Sequence, residues 1–288
     1  LIDIRPYIRP SDHGDTTPAL DAAVAAAMPK AESVFIPAGW HLFNTRPKPI
    51  GGGVTIRGES GWTSAHTGTC LVARYNEPDN EAGFLTWDGT DARGYKGTGG
   101  GVRDLTIYKY GDFKGGCAIV VKPENSTDHR SGMWNLENVA VISENGGLWD
   151  RIVLMDGSNI PKGYLGGMGV RCCTIKSLFA SGANVCNVEF RNAVHVDWFG
   201  GQVQQGPAPV ATRASVKITG VDTQDVKIVG VSIYGLLHLE HCKYVDFGGL
   251  AVFVRIDEGV SCSFVKAMQC TDLVNNTRPS DKVMVTTV

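Results

Sequence analysis

Beyond residue 100 the chain is a succession of short runs in which apolar and polar residues alternate, the period-two pattern of half-buried strands. The runs recur. DLTIYK (104–109), NVAVIS (138–143) and CTIKSL (173–178) centre on Ile107, Val141 and Ile175, each 34 residues after the one before. A second series keeps step with it: CAIVVK (117–122), RIVLMD (151–156) and NVEFRN (187–192) place Val153 34 residues after Ile119, and Val188 35 after Val153. Later turns shorten. VKITG (216–220), LHLEH (237–241) and VRIDE (254–258) read as the first series continued, and DVKIVG (225–230), YVDFGG (244–249) and CSFVKA (262–267) as the second. VHVDWF, VSIYG and LAVFV supply a third strand in some turns. Strand families with a common period predict a solenoid, in which each turn buries its apolar side only by stacking on the next. A β-sandwich also has short alternating strands, but nothing in it obliges two families to keep step.

A solenoid end exposes apolar side chains and unpaired backbone groups and needs a cap. The stretch DTTPALDAAVAAAM supplies one. Asp15 or Thr16 is the candidate N-cap, Pro18 sits in the first turn, and Leu20, Val24 and Met28 share one helical face. ESVFIPAGWHLFNT (32–45) then reads as two strands about Pro37-Ala38-Gly39, followed by GVTIRGES. The expected organisation is a capping segment with first strands over 1–50, a β-solenoid over 51–270, and a C-terminal segment over 271–288. The terminal KVMVTTV reads as one strand that caps the solenoid or pairs with a neighbouring subunit.

The run from DTTPALDAAVAAAM through SVFIPAGWHLF to GVTIRGES resembles the N-terminal signature of the pectate-lyase-like, right-handed parallel β-helix proteins. That group includes bacteriophage tailspikes, capsule depolymerases and bacterial polysaccharide-degrading enzymes. The likeness is close over residues 11–60 and extends loosely through the repeats to about residue 270. Relatives often carry a doubled Asp before the helical Thr; HGDTT has only Asp15. The resemblance implies an all-β right-handed parallel β-helix with an N-terminal capping α-helix. It also implies a homotrimeric virion tail protein, made in the host cytoplasm, that joins other tail proteins and binds, or also depolymerises, bacterial surface polysaccharide. The alternatives are a secreted monomeric lyase or hydrolase and a non-catalytic virion component.

Composition narrows these classes. A net charge of -2 and a pI near 6.4 lack the basic excess of a nucleic-acid binder. No apolar run reaches the length of a membrane span, and no charged n-region with an apolar h-region opens the chain. Eight cysteines without C-x-x-C or zinc spacing read as reduced, buried small side chains, with disulfides as the alternative. No P-loop, dinucleotide-binding fingerprint, G-x-S-x-G or H-E-x-x-H occurs, so neither a metal nor a cofactor is expected.

Glycan cleavage calls for two carboxylates about the scissile bond, or a base beside a charge-stabilising cation. Outward residues on successive turns stand about 4.8 Å apart. The late repeats put Lys217 and Thr219, His238 and Glu240, and Arg255 and Asp257 on one outward face. Glu240 is thereby stacked on Asp257, and His238 on Arg255. Glu240 and Asp257 are the first catalytic candidates. VEFRNAVHVDWFGG adds Glu189 and Asp197 as catalytic candidates, with His195 and Trp198 as substrate-binding ones. WDGTDARGYKG adds Trp87, Asp88 and Asp91 to the binding set, beside His238 and Arg255. Aromatic rings enter because they cover the apolar face of a sugar.

Overall fold

The computed structural model describes residues 1–51, 53–60, 67–88, 98–123, 132–158, 170–205, 210–221, 223–257, 260, 263–267, 272–276 and 283–287. Among these, nineteen strands form one continuous ladder, and every strand pairing in it is parallel. The chain is an all-β parallel β-helix with a helix at its N-terminal end.

Three sheets run along the axis. Sheet 1 stacks Gly83–Trp87, Cys117–Val121, Arg151–Asp156, Cys186–Arg191 and Ala214–Thr219, then residues 236–240, 253–256 and the strand Asp272–Asn276. Sheets 2 and 3 share long bent strands, among them Thr98–Tyr110, Gly132–Glu144, Val170–Ser181 and Ala193–Gln204. The first part of each lies in sheet 2 and the second in sheet 3. Inward positions form continuous apolar columns; Ile107, Val141, Ala180, Val203 and Ile233 are consecutive in sheet 3 and all buried.

The bend between sheets 2 and 3 has a local cause. Asp104, Asn138, Ser177, Gly200 and Gly230 stand in register on successive rungs, and every one has a positive φ, between 54° and 69°. A left-handed residue turns a strand sharply, and Asn, Asp and Gly carry it at least cost. The Asn138 amide also donates to Asp104 Oδ1 at 3.1 Å, tying two corners together.

The cap forms as the sequence predicts. The helix spans Thr17–Ala27 with Thr16 at its N-cap. Asp15 does the capping: its Oδ1 accepts from Thr17 N at 2.9 Å and Thr17 Oγ1 at 2.7 Å. Leu20 and Val24 are buried in the core with Ala19, Ala23 and Ala27, while Met28 packs at its edge. Cys70, Cys117, Cys173, Cys186 and Cys242 are all buried, as small apolar side chains would be.

Three expectations change. Val141 pairs with Ala180, 39 residues on, and Ile175 with Leu136, because the third turn has a longer connection ahead of Val170. The strand families also exchange partners midway. Residues 216–219 stack on 188–191, so VKITG continues the CAIVVK series, whereas 226–229 stack on 196–199. Alternation fixes which side chains point inward, but not which of several similar strands lies beneath. Finally, the ladder does not stop at residue 270. Asp272–Asn276 pairs with sheet 1, and Val283–Thr287 pairs in parallel with Ser263–Ala267.

Candidate functional site

Sheet 1 turns two columns of side chains outward. One runs Val120, Leu154, Glu189, Lys217, His238, Arg255. Its neighbour passes through Asp156, Arg191, Thr219 and Glu240, with Lys122 before and Asp257 after. The inward positions between them, from Ile119 and Val121 to Leu239 and Ile256, fill the core. Charged side chains are thus held on a rigid floor.

At the front of this strip six charges close a network. Arg191 reaches Glu81 at 3.0 Å, Asp156 at 3.1 Å and Glu189 at 2.9 Å. Lys122 Nζ lies 3.3 Å from Glu81 and 3.9 Å from Asp156, and Arg151 pairs with Glu189. Asp156 and Glu189 are almost fully buried. Such carboxylates stay charged only with cations and donors around them, and losing one partner strands the other. For Glu81, burial works to raise the pKa, but the hydrogen bonds and charges of Arg191 and then Lys122 outweigh it and hold the group below its ordinary value. Above this network opens a pocket of about 300 Å³ lined by Arg46, Pro47, Pro49, Asp79, Glu81, Thr86, Asp88 and Lys122 among others.

At the rear, Glu240 and Asp257 occupy adjacent rungs, as the repeat register requires. Each is bound to a cation. Lys217 Nζ lies 2.9 Å from Glu240, which also accepts from Thr219 Oγ1 at 3.3 Å. Asp257 meets His238 Nε2 at 2.8 Å and Arg255 Nε at 2.9 Å. The Lys217 hydrogen bond chiefly lowers the Glu240 pKa. Burial acts to raise that of Asp257, but the bonds from Arg255 and His238 prevail and lower it. A two-carboxylate hydrolase needs one of its pair protonated. The cations beside both groups favour their ionised forms. His238 stands between these groups, its Nε2 against Asp257. A hydrogen bond donated by Nε2–H to Asp257 leaves Nδ1 as the ring's other hydrogen-bonding nitrogen. Lys217 and Arg255 flank it on the rungs to either side.

The other sequence candidates scatter. Glu189 lies on the strip but is sequestered between Arg151 and Arg191. Asp88 lines the front pocket. Asp197 stands outward on sheet 2, in register with Thr174 and Lys227, on a different face of the molecule. His195 bonds Asp225, not Asp197, because both sit at left-handed corners with φ of 56° and 58°. Trp198 is a core residue, its indole N–H donating to Gly200 O at 3.0 Å and its ring meeting Phe190 edge-on. Trp87 is likewise buried, donating to Val54 O at 3.0 Å beside Trp134. Neither tryptophan offers a ring to a sugar. Asp91 lies outside the described residues.

The sequence reading passed over Glu81, Lys122, Arg151 and Asp156. Three of the network residues carried a signal: Lys122, Asp156 and Arg191 repeat at 34 and 35 residues, the interval that aligned the apolar centres. Glu81, from the loop before Gly83, carried none. No helix among the described residues is long and apolar enough to cross a membrane, and no group of His, Cys, Asp or Glu there could hold a metal ion. No protein-family model and no curated protein matches the chain.

Proposed function

We propose that this protein binds an extended bacterial surface polysaccharide along the outer face of sheet 1, as a tailspike-like appendage of a virion. The observation that carries the reading is the strip itself. From Asp88 to Asp257 it crosses seven rungs, about 29 Å at 4.8 Å per rung. That length suits a linear polymer better than a small molecule. Its paired charges offer fixed donors and acceptors to hydroxyl groups without a net field, in keeping with the nearly neutral chain. The capping helix and the residues that resemble β-helix spike proteins support the virion assignment, and homotrimeric assembly belongs to the same proposal.

The column Lys217, His238, Arg255 favours a catalytic form of this reading on uronate-bearing chains. A cation would neutralise the uronate carboxylate. His238 Nδ1 would take the proton from the carbon beside that carboxylate, the bond between the next carbon and the glycosidic oxygen would break, and the departing oxygen would take a proton from water, giving an unsaturated sugar and a free chain end.

The test is incubation of the purified protein with a panel of neutral and acidic capsular and O-antigen polysaccharides, following retention and chain length by size-exclusion light scattering and new double bonds by ultraviolet absorbance. Shortening with absorbance, reduced at least 100-fold in His238→Ala, supports elimination. Co-elution without shortening supports a binding spike. No interaction with any member overturns the polysaccharide reading. Sedimentation of the same sample as a monomer would remove the trimer.

A further inference from the structure

A second pocket lies away from the charged strip, in the corner between sheets 2 and 3. It encloses about 280 Å³ and is lined by Asn138, Val139, Ser177, Leu178, Phe179, Gly201 and Gln202. Its origin lies in the corner column. Asn138 and Ser177 carry side chains outward from left-handed corners, and the next rung has Gly200, around which an added Cβ would meet nothing within 4 Å. The column of side chains therefore stops, and a recess opens beside Gly201.

No lining residue is charged. The polar groups are two amides and a hydroxyl, which both donate and accept, and Phe179 adds a half-buried ring. Such a lining gives an ion no countercharge, and its mixture of apolar and hydrogen-bonding groups suits a neutral ring that carries hydroxyls on an apolar frame. The volume equals that of about nine waters at ~30 Å³ each, the scale of one sugar ring.

We infer that this corner pocket is a separate binding site for a single neutral sugar residue, with Gln202, Asn138 and Ser177 meeting its hydroxyls and Phe179 its C–H face. It is independent of the strip on sheet 1, because none of its residues lies in that sheet.

Saturation-transfer NMR with glucose, galactose, mannose, rhamnose and N-acetylglucosamine, each at millimolar concentration, tests it. At least one sugar should show transfer. The signal should fall at least fivefold in Gln202→Ala and in Gly200→Asn, and remain in Glu240→Gln. The Gly200→Asn change is compatible with the fold, since the same corner already holds Asn138 at a similar φ. Absence of transfer from all five sugars overturns the inference, as does transfer unchanged in both pocket variants. Transfer lost in Glu240→Gln and kept in the pocket variants would assign the sugar to the strip, overturning the inference while sparing the polysaccharide reading.

Discussion

Lys109 points into the solenoid interior, in the column that carries Phe43 and Ala73 on the rungs beneath it. Its side chain is fully buried, and its ammonium has no hydrogen-bond partner among the described residues. What holds it is a pair of rings: Nζ lies 4.6 Å from the centroids of both Tyr75 and Trp149. Burial pushes its pKa down to about 8, with Glu77 and Asp150 pulling weakly the other way. The folded chain thus releases this proton more easily than the unfolded chain. The cost of the buried charge is fully present below pH 8 and is relieved as pH rises from about 8 toward the ordinary value of 10.5. It is on the order of 3 kcal/mol, before the cation–π attraction is set against it. Lys109→Met should therefore raise stability at pH 7 by about 1–3 kcal/mol and flatten the rise above pH 8. Urea titrations at pH 7 and pH 9.5 measure both; a variant less stable than the parent at pH 7 would show that the ring clamp outweighs desolvation. Alternation in DLTIYK marks position 109 as inward, whereas its charge argues for the surface. The sequence offers no means to choose, because the clamping rings belong to other rungs.

At the level of elements, the joint between helix and first rungs rests on Asp15. One carboxylate oxygen accepts from Thr17 N, Thr17 Oγ1 and Asn44 N, the last at 3.2 Å. It fastens the cap to the strand Gly39–Phe43. Asp15→Ala should cost about 1–2 kcal/mol, with the loss concentrated at the N-terminal end. Hydrogen exchange should show faster exchange in residues 17–27 and unchanged protection in sheet 1; uniform loss would mean that the cap governs the whole solenoid. This element was legible, since Asp15, Pro18 and the spacing of Leu20 and Val24 are local signals. So were the rungs in which short, regular turns keep the period, and these placed Glu240 beside Asp257. Their partners followed from the same register, as Lys217 lies one rung before Glu240 and His238 one rung before Asp257. What alignment of apolar centres missed was identity among similar strands: Val141 rests under Ala180, and the strand families cross after residue 190. Trp87 and Trp198 were misread for a related reason. Each lies on an inward position, and its indole N–H is satisfied by a backbone carbonyl within the core, a partner that sequence does not display.

Across the whole molecule most pairings join each rung to the next, but the Glu81–Arg191 contact spans 110 residues. The loop bearing Glu81 precedes Gly83–Trp87, while Arg191 stands three rungs further along. The contact has nothing to close upon until those rungs exist. It belongs late in the order of assembly, after the costly docking of successive turns is complete. Removing it should leave the refolding rate of Glu81→Gln close to that of the parent and speed unfolding several-fold. Stopped-flow urea jumps separate the two limbs, and slowed refolding with unchanged unfolding would place the loop in the folding nucleus. On the expected outcome the loop works as a latch rather than a foundation. It sets how long a finished solenoid endures, and leaves the time needed to build one unchanged.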